Sequence, residues 1–79
     1  MTVLVTGGCG YLGSRVVRDL ARRTDVDCVR VLDNMQSGDH AALMDLPEAG
    51  TYEFLERDLL DTSVLRIALR DVELVVHLA

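Results

Sequence analysis

Val3-Leu4-Val5-Thr6-Gly7-Gly8-Cys9-Gly10-Tyr11-Leu12-Gly13 governs how the rest of this 79-residue chain is understood. An apolar run leads into glycines at Gly7, Gly10 and Gly13, and a helical pattern follows. A strand that breaks into a glycine turn and reopens as a helix is a cradle for a phosphate. Glycine lets the backbone turn tightly and approach an anion closely. The first N–H groups of the helix lack intrahelical partners, and its dipole favours negative charge there. The spacing is Gly-x-x-Gly-x-x-Gly, which differs from the Gly-x-Gly-x-x-Gly dinucleotide fingerprint. It is not a P-loop, because no lysine stands between Gly8 and Gly13. An ordinary strand-to-helix turn is the competing reading. Position favours the cradle: Asp33 lies twenty residues beyond Gly13, about where a carboxylate that accepts from adenosine ribose hydroxyls is expected.

The remaining chain alternates strands and helices. Thr2–Val5 reads as a buried first strand, apolar on both faces. Tyr11–Arg23 reads as a helix with Leu12, Val16, Val17, Leu20 and Ala21 inward. Cys28–Leu32 is the second strand and Asp33 closes it. Asp33 at a strand's carboxyl end faces a crevice; the alternatives are a solvated loop aspartate or a helix cap. A loop, Asn34–Gly38, precedes a short irregular helix over 39–46, ended by Pro47. Thr51–Leu55 is the third strand, Thr62–Leu69 a helix with Val64, Leu65, Ala68 and Leu69 inward, and Glu73–His77 the fourth strand. Asp61 is the expected N-cap of that last helix. Strands joined through helices imply right-handed crossovers and a parallel sheet. The expected fold is α/β, with strand order 3-2-1-4, helices on both faces and a crevice between strands one and four.

Composition narrows the function classes. Thirteen acidic against eight basic residues give a net charge of −5, and every basic residue is arginine. That weighs against a nucleic-acid surface. The two cysteines, Cys9 and Cys28, suit reduced cytoplasmic thiols better than a disulfide framework. No run approaches the ~20 apolar residues of a membrane span, and no leader pattern precedes the first strand. The chain therefore reads as soluble and cytoplasmic. With two histidines and two cysteines far apart in sequence, no metal cluster is expected.

Thr6-Gly7-Gly8-Cys9-Gly10-Tyr11-Leu12-Gly13 resembles the cofactor motif of the extended short-chain dehydrogenase/reductases, and in particular their NAD-dependent epimerase/dehydratase branch. The resemblance runs along the whole chain. It implies a Rossmann-type domain, of which residues 1–79 are the N-terminal part, cut after the fourth strand. It implies NAD as cofactor, a nucleotide-sugar substrate for the full-length enzyme, and a homodimer at full length. By position, Gly7, Gly10, Tyr11, Leu12 and Gly13 belong to the pyrophosphate turn. Asp33, Asn34 and Ser37 fall near the adenosine ribose, although Asn34 and Ser37 also suit plain turn residues. Asp58 and Leu59 match the pair that meets adenine, but Arg57 stands where the family often has glycine. Leu78 and Ala79 map to the cofactor crevice. His77 reads as a structural histidine turned into the sheet's packing, and Cys9 as a small loop residue.

The family's catalytic Tyr-x-x-x-Lys is absent from these residues, since neither Tyr11 nor Tyr52 is followed by a lysine. No residue here is expected to be catalytic, and the 79 residues alone are expected to be inactive. Two other functions compete. One is an NADP-dependent reductase of the same superfamily, against which Asp33 argues. The other is a non-catalytic nucleotide-sensing protein that keeps the cofactor fold.

Overall fold

β1, Thr2–Thr6, forms the middle of the molecule because its side chains are apolar towards both faces. In the computed structural model, which describes residues 1–35, 46, 51–58 and 60–78, β1 is followed by α1 (Tyr11–Ala21), β2 (Cys28–Asp33), β3 (Tyr52–Glu56), α2 (Thr62–Ala68) and β4 (Leu74–His77). The four strands form one sheet in the order β3-β2-β1-β4, and every pairing is parallel. This is the expected order. The short helix expected over 39–46 lies outside the described residues, apart from Leu46, which packs against the core.

Strand alternation splits the core into two layers. Val3, Val5, Val29 and Val31 pack with Val17 and Ala21 of α1. Leu4 and Leu32 pack with Val64 and Ala68 of α2 on the other side. Helices thus cover both faces, as all-parallel sheets require. Each buried Val or Leu side chain contributes about 1.5–3 kcal/mol relative to leaving it exposed.

Two inward assignments are corrected. Leu12 is 59% exposed, and the buried positions of the first turn of α1 are Gly13 and Ser14. The close seat of Gly13 on the glycine loop turns that face of the helix by a residue. Leu69 is 47% exposed, because α2 ends at Ala68 and Leu69 is its C-cap. Element ends also differ slightly. Thr6 belongs to β1, Asp33 to β2 and Glu56 to β3, while α1 stops at Ala21.

α2 is held at both ends. Asp61 caps it, accepting from Ser63 N at 3.0 Å and Ser63 Oγ at 2.7 Å. The hydrogen bond to Ser63 holds the Asp61 carboxyl below the usual carboxylate range. At the other end Arg30 Nη1 donates to the carbonyls of Ala68 at 2.8 Å and Arg70 at 2.7 Å. Its Nε donates to Glu53 at 2.8 Å. A cation on otherwise orphaned carbonyls suits a helix C-terminus.

Candidate cofactor-binding site

The site is built where β1 ends. Gly7 follows with φ of 74°, a left-handed conformation that favours glycine. Its N–H donates to Leu32 O at 2.9 Å, which ties the turn to β2. The chain then enters α1 through Gly10, an extended N-cap with no side-chain capping bond. The first helical bond runs from Ser14 N to Gly10 O at 2.9 Å.

The glycines do different work. A Cβ on Gly13 would sit 2.2 Å from Gly7 O and 2.7 Å from Gly8 Cα, so Gly13 is what lets α1 approach β1. A Cβ on Gly10 would meet only Gly7 O, at an ordinary 3.5 Å. Neither φ, −76°, nor packing requires glycine at Gly10. Apart from its chain neighbours nothing else lies within 4 Å of that Cβ, which leaves an opening at the start of a helix with no side-chain cap. Tyr11 and Leu12 flank that opening and are exposed. Arg15 bonds the Tyr11 hydroxyl at 3.3 Å and lies 5.9 Å over its ring.

Asp33 reaches this loop. Its Oδ2 accepts from Cys9 N at 2.9 Å, and its Oδ1 accepts from Met35 N at 2.8 Å. Asp33 is therefore neither a solvated loop aspartate nor a helix cap. It is half-buried and straps the glycine turn to the end of β2. Each oxygen keeps acceptor capacity for a further donor. Asn34 stands beside it, exposed. The Cys9 thiol is buried, and burial pushes its pKa up, with the charges of Asp33 and Glu56 adding to the effect. A thiol so disposed is a poor nucleophile, consistent with its expected role as a small loop residue.

On the other side of β1 the link is made by a residue with no role assigned from sequence. Thr6 is 2% exposed, and its hydroxyl lies 2.6 Å from His77 Nδ1. The same oxygen accepts from Leu78 N at 3.2 Å, and the Thr6 carbonyl accepts from Leu78 N at 3.0 Å. His77 is thus held by a structural bond, but it is exposed at the end of β4, not turned into the packing as expected. The threonine directly before the glycine turn was the available sequence signal. Its partner could not be read, because it lies on another strand.

The structure brings Gly7, Gly10, Tyr11, Leu12, Gly13, Asp33, Asn34 and Leu78 to the carboxyl edge of the sheet, where β2 and β4 flank β1. Asp58 joins them from β3: the neighbouring Arg57 N donates to Asp33 O at 3.0 Å. Asp58 Oδ1 accepts from Leu60 N at 2.9 Å, within its own turn. Ser37, Leu59 and Ala79 lie outside the described residues. The carboxyl edge at the point where the strand order reverses, here between β1 and β4, is where open parallel sheets bind ligands.

Comparison with known proteins agrees with this fold. The sequence pattern of the 3-beta hydroxysteroid dehydrogenase/isomerase family matches residues 4–79. UDP-glucose 4-epimerase of Erwinia amylovora is 39% identical, over all of this chain and 24% of its own length. The crystal structure of DesIV, a dTDP-glucose 4,6-dehydratase of Streptomyces venezuelae with NAD bound, superposes with a TM-score of 0.85 at 36% identity, over 100% of this chain and 26% of that one. UDP-glucose 4-epimerase of Thermus thermophilus, in complex with NAD, superposes with a TM-score of 0.78 at 37% identity, over 100% and 24%. The chain spans about a quarter of the length of these relatives.

Proposed function

The chain belongs to the 3-beta hydroxysteroid dehydrogenase/isomerase family, and on that footing we propose that it is the NAD-binding part of a nucleotide-sugar epimerase or dehydratase. The observation that carries the reading is Gly10. Neither its backbone angles nor its packing requires a glycine there, it stands at a helix start with no side-chain cap, and it leaves the room a pyrophosphate needs. NAD fits this opening, since backbone N–H groups and the helix dipole meet its negative charge. The steroid in the family's description is not carried over, because relatives at 39% and 37% identity are named as epimerases of UDP-glucose.

In this proposal Gly7, Gly10, Tyr11, Leu12 and Gly13 form the pyrophosphate turn. Asp33, Asn34 and Ser37 receive the adenosine ribose, Asp58 and Leu59 the adenine, and Leu78 and Ala79 line the crevice. Bound NAD supplies a hydride acceptor for a sugar carbon. These residues bind and orient it, and none of them transfers a proton. The general base is assigned to the remainder of the full-length enzyme, to which a homodimer, as in the family, and a cytoplasmic setting are also ascribed. The free thiols of Cys9 and Cys28 support that setting.

Calorimetric titration of NAD into the full-length protein tests the reading. Wild type is expected to bind, and Gly10→Val is expected to abolish binding while keeping its circular dichroism. Absence of binding by wild type, or unchanged affinity in the variant, overturns it.

A further inference from the structure

Glu56 ends β3 directly beside Asp33, its partner in the parallel register of β2 and β3. Neighbouring strands lie about 4.8 Å apart, and paired residues point to the same face. Asp33 and Glu56 therefore project together on the α1 side of the sheet. Arg30 and Glu53 project on the other side, where Arg30 is committed to Glu53 and to the end of α2. The Asp33 carboxylate is fixed by Cys9 N and Met35 N. The Glu56 carboxylate is exposed and has no hydrogen bond or ion pair among the described residues. Arg57, the adjacent cation, turns its Nη1 onto the Glu56 carbonyl at 2.9 Å. Both carboxylates act on the same point of the glycine turn, since each raises the Cys9 thiol.

We propose that Glu56 is a specificity-determining residue, whose carboxylate beside that of Asp33 disfavours a dinucleotide bearing a phosphate on its adenosine ribose. This rests on the proposal that Asp33 receives that ribose. Ribose hydroxyls can donate to Asp33; a phosphate cannot, and it brings a charge of about −1.5 to −2. Asp33 repels it from a fixed position. Glu56 adds a second, solvent-facing charge, so its share of the repulsion is smaller and falls with salt.

The test is to titrate NAD and NADP into full-length wild type, Glu56→Gln and Glu56→Lys at low and high ionic strength. Glu56→Gln is expected to raise NADP affinity about three- to tenfold relative to NAD, and Glu56→Lys to raise it further. NAD affinity itself should change less than about twofold, and the gains should shrink as salt screens the site. NAD binding with an unchanged NADP/NAD ratio in both variants overturns the role of Glu56 and leaves the NAD reading standing. Equal losses for both cofactors mark a structural residue and also overturn it. If wild type binds neither cofactor, the NAD reading fails and the role of Glu56 fails with it.

Discussion

Thr6 Oγ1 and His77 Nδ1 meet at 2.6 Å across 71 residues of sequence, joining the carboxyl ends of β1 and β4. Leu78 N donates to the same hydroxyl. With the ring proton on Nε2, Thr6 donates its own proton to Nδ1, and one buried hydroxyl serves two partners. This bond fixes the wall of the crevice next to the glycine turn.

Thr6→Val keeps the shape of the side chain and removes its oxygen. Since Thr6 is 2% exposed, no water readily replaces the lost partner. The variant is expected to be less stable by about 1–3 kcal/mol, with Thr6→Ser recovering most of the loss. Urea unfolding of the three proteins checks this. Equal midpoints for wild type and Thr6→Val would remove the bond from the account of the crevice.

Gly10→Ala and Gly13→Ala should separate binding from folding. A Cβ on Gly13 would collide with the backbone of Gly7, so Gly13→Ala is expected to lose about 1–3 kcal/mol or more of stability. Gly10→Ala has ordinary room and is expected to lose less than about 1 kcal/mol. Its NAD affinity should nevertheless fall at least about tenfold, equivalent to ~1.4 kcal/mol. Melting curves and titrations on the pair give the comparison. A stable Gly13→Ala, or a Gly10→Ala that binds normally, contradicts it.

Acid sensitivity should run through Glu53. Its hydrogen bond from Arg30 holds the carboxyl below the usual glutamate value, with the guanidinium charge acting in the same direction. Below its ordinary pKa of about 4.3, the unfolded chain takes up a proton there more readily than the folded one. The contribution of the pair is therefore complete above about pH 4.3 and declines as pH falls through the lower folded value. Glu53 is half exposed, so the share is about 1 kcal/mol or less. Melting midpoints between about pH 3 and 6 should converge for wild type and Glu53→Gln as pH falls. Parallel curves would show that the carboxylate is not coupled to Arg30 in solution.

Much of the fold was legible because its causes are local. The continuous apolar run Val3–Val5, with Val29, Val31 and Leu32 on the next strand, can be buried only between two layers. The glycine spacing marked the turn, and Asp61 before Thr62-Ser63 marked a cap that the structure shows. Strand order followed from the alternation of strands and helices. Errors fell at element ends: Leu12 and Leu69 carry the right periodicity, but a helix's last or first turn can project beyond the layer it packs on.

The site was only half legible. Residue order alone established that glycines open a helix after β1 and that a carboxylate closes β2. Packing in three dimensions settled which glycine has room for a side chain and which is closed by backbone contact, because that depends on how near α1 lies to Gly7 and Gly8. It also settled that Asp33 straps Cys9, that Thr6 holds His77, and that Glu56 stands beside Asp33. The last two pairs are set by strand register, the first by the turn that leaves β1, and register comes from burying both faces of the sheet together. No short window of sequence contains the partner strand, so none could name the partner.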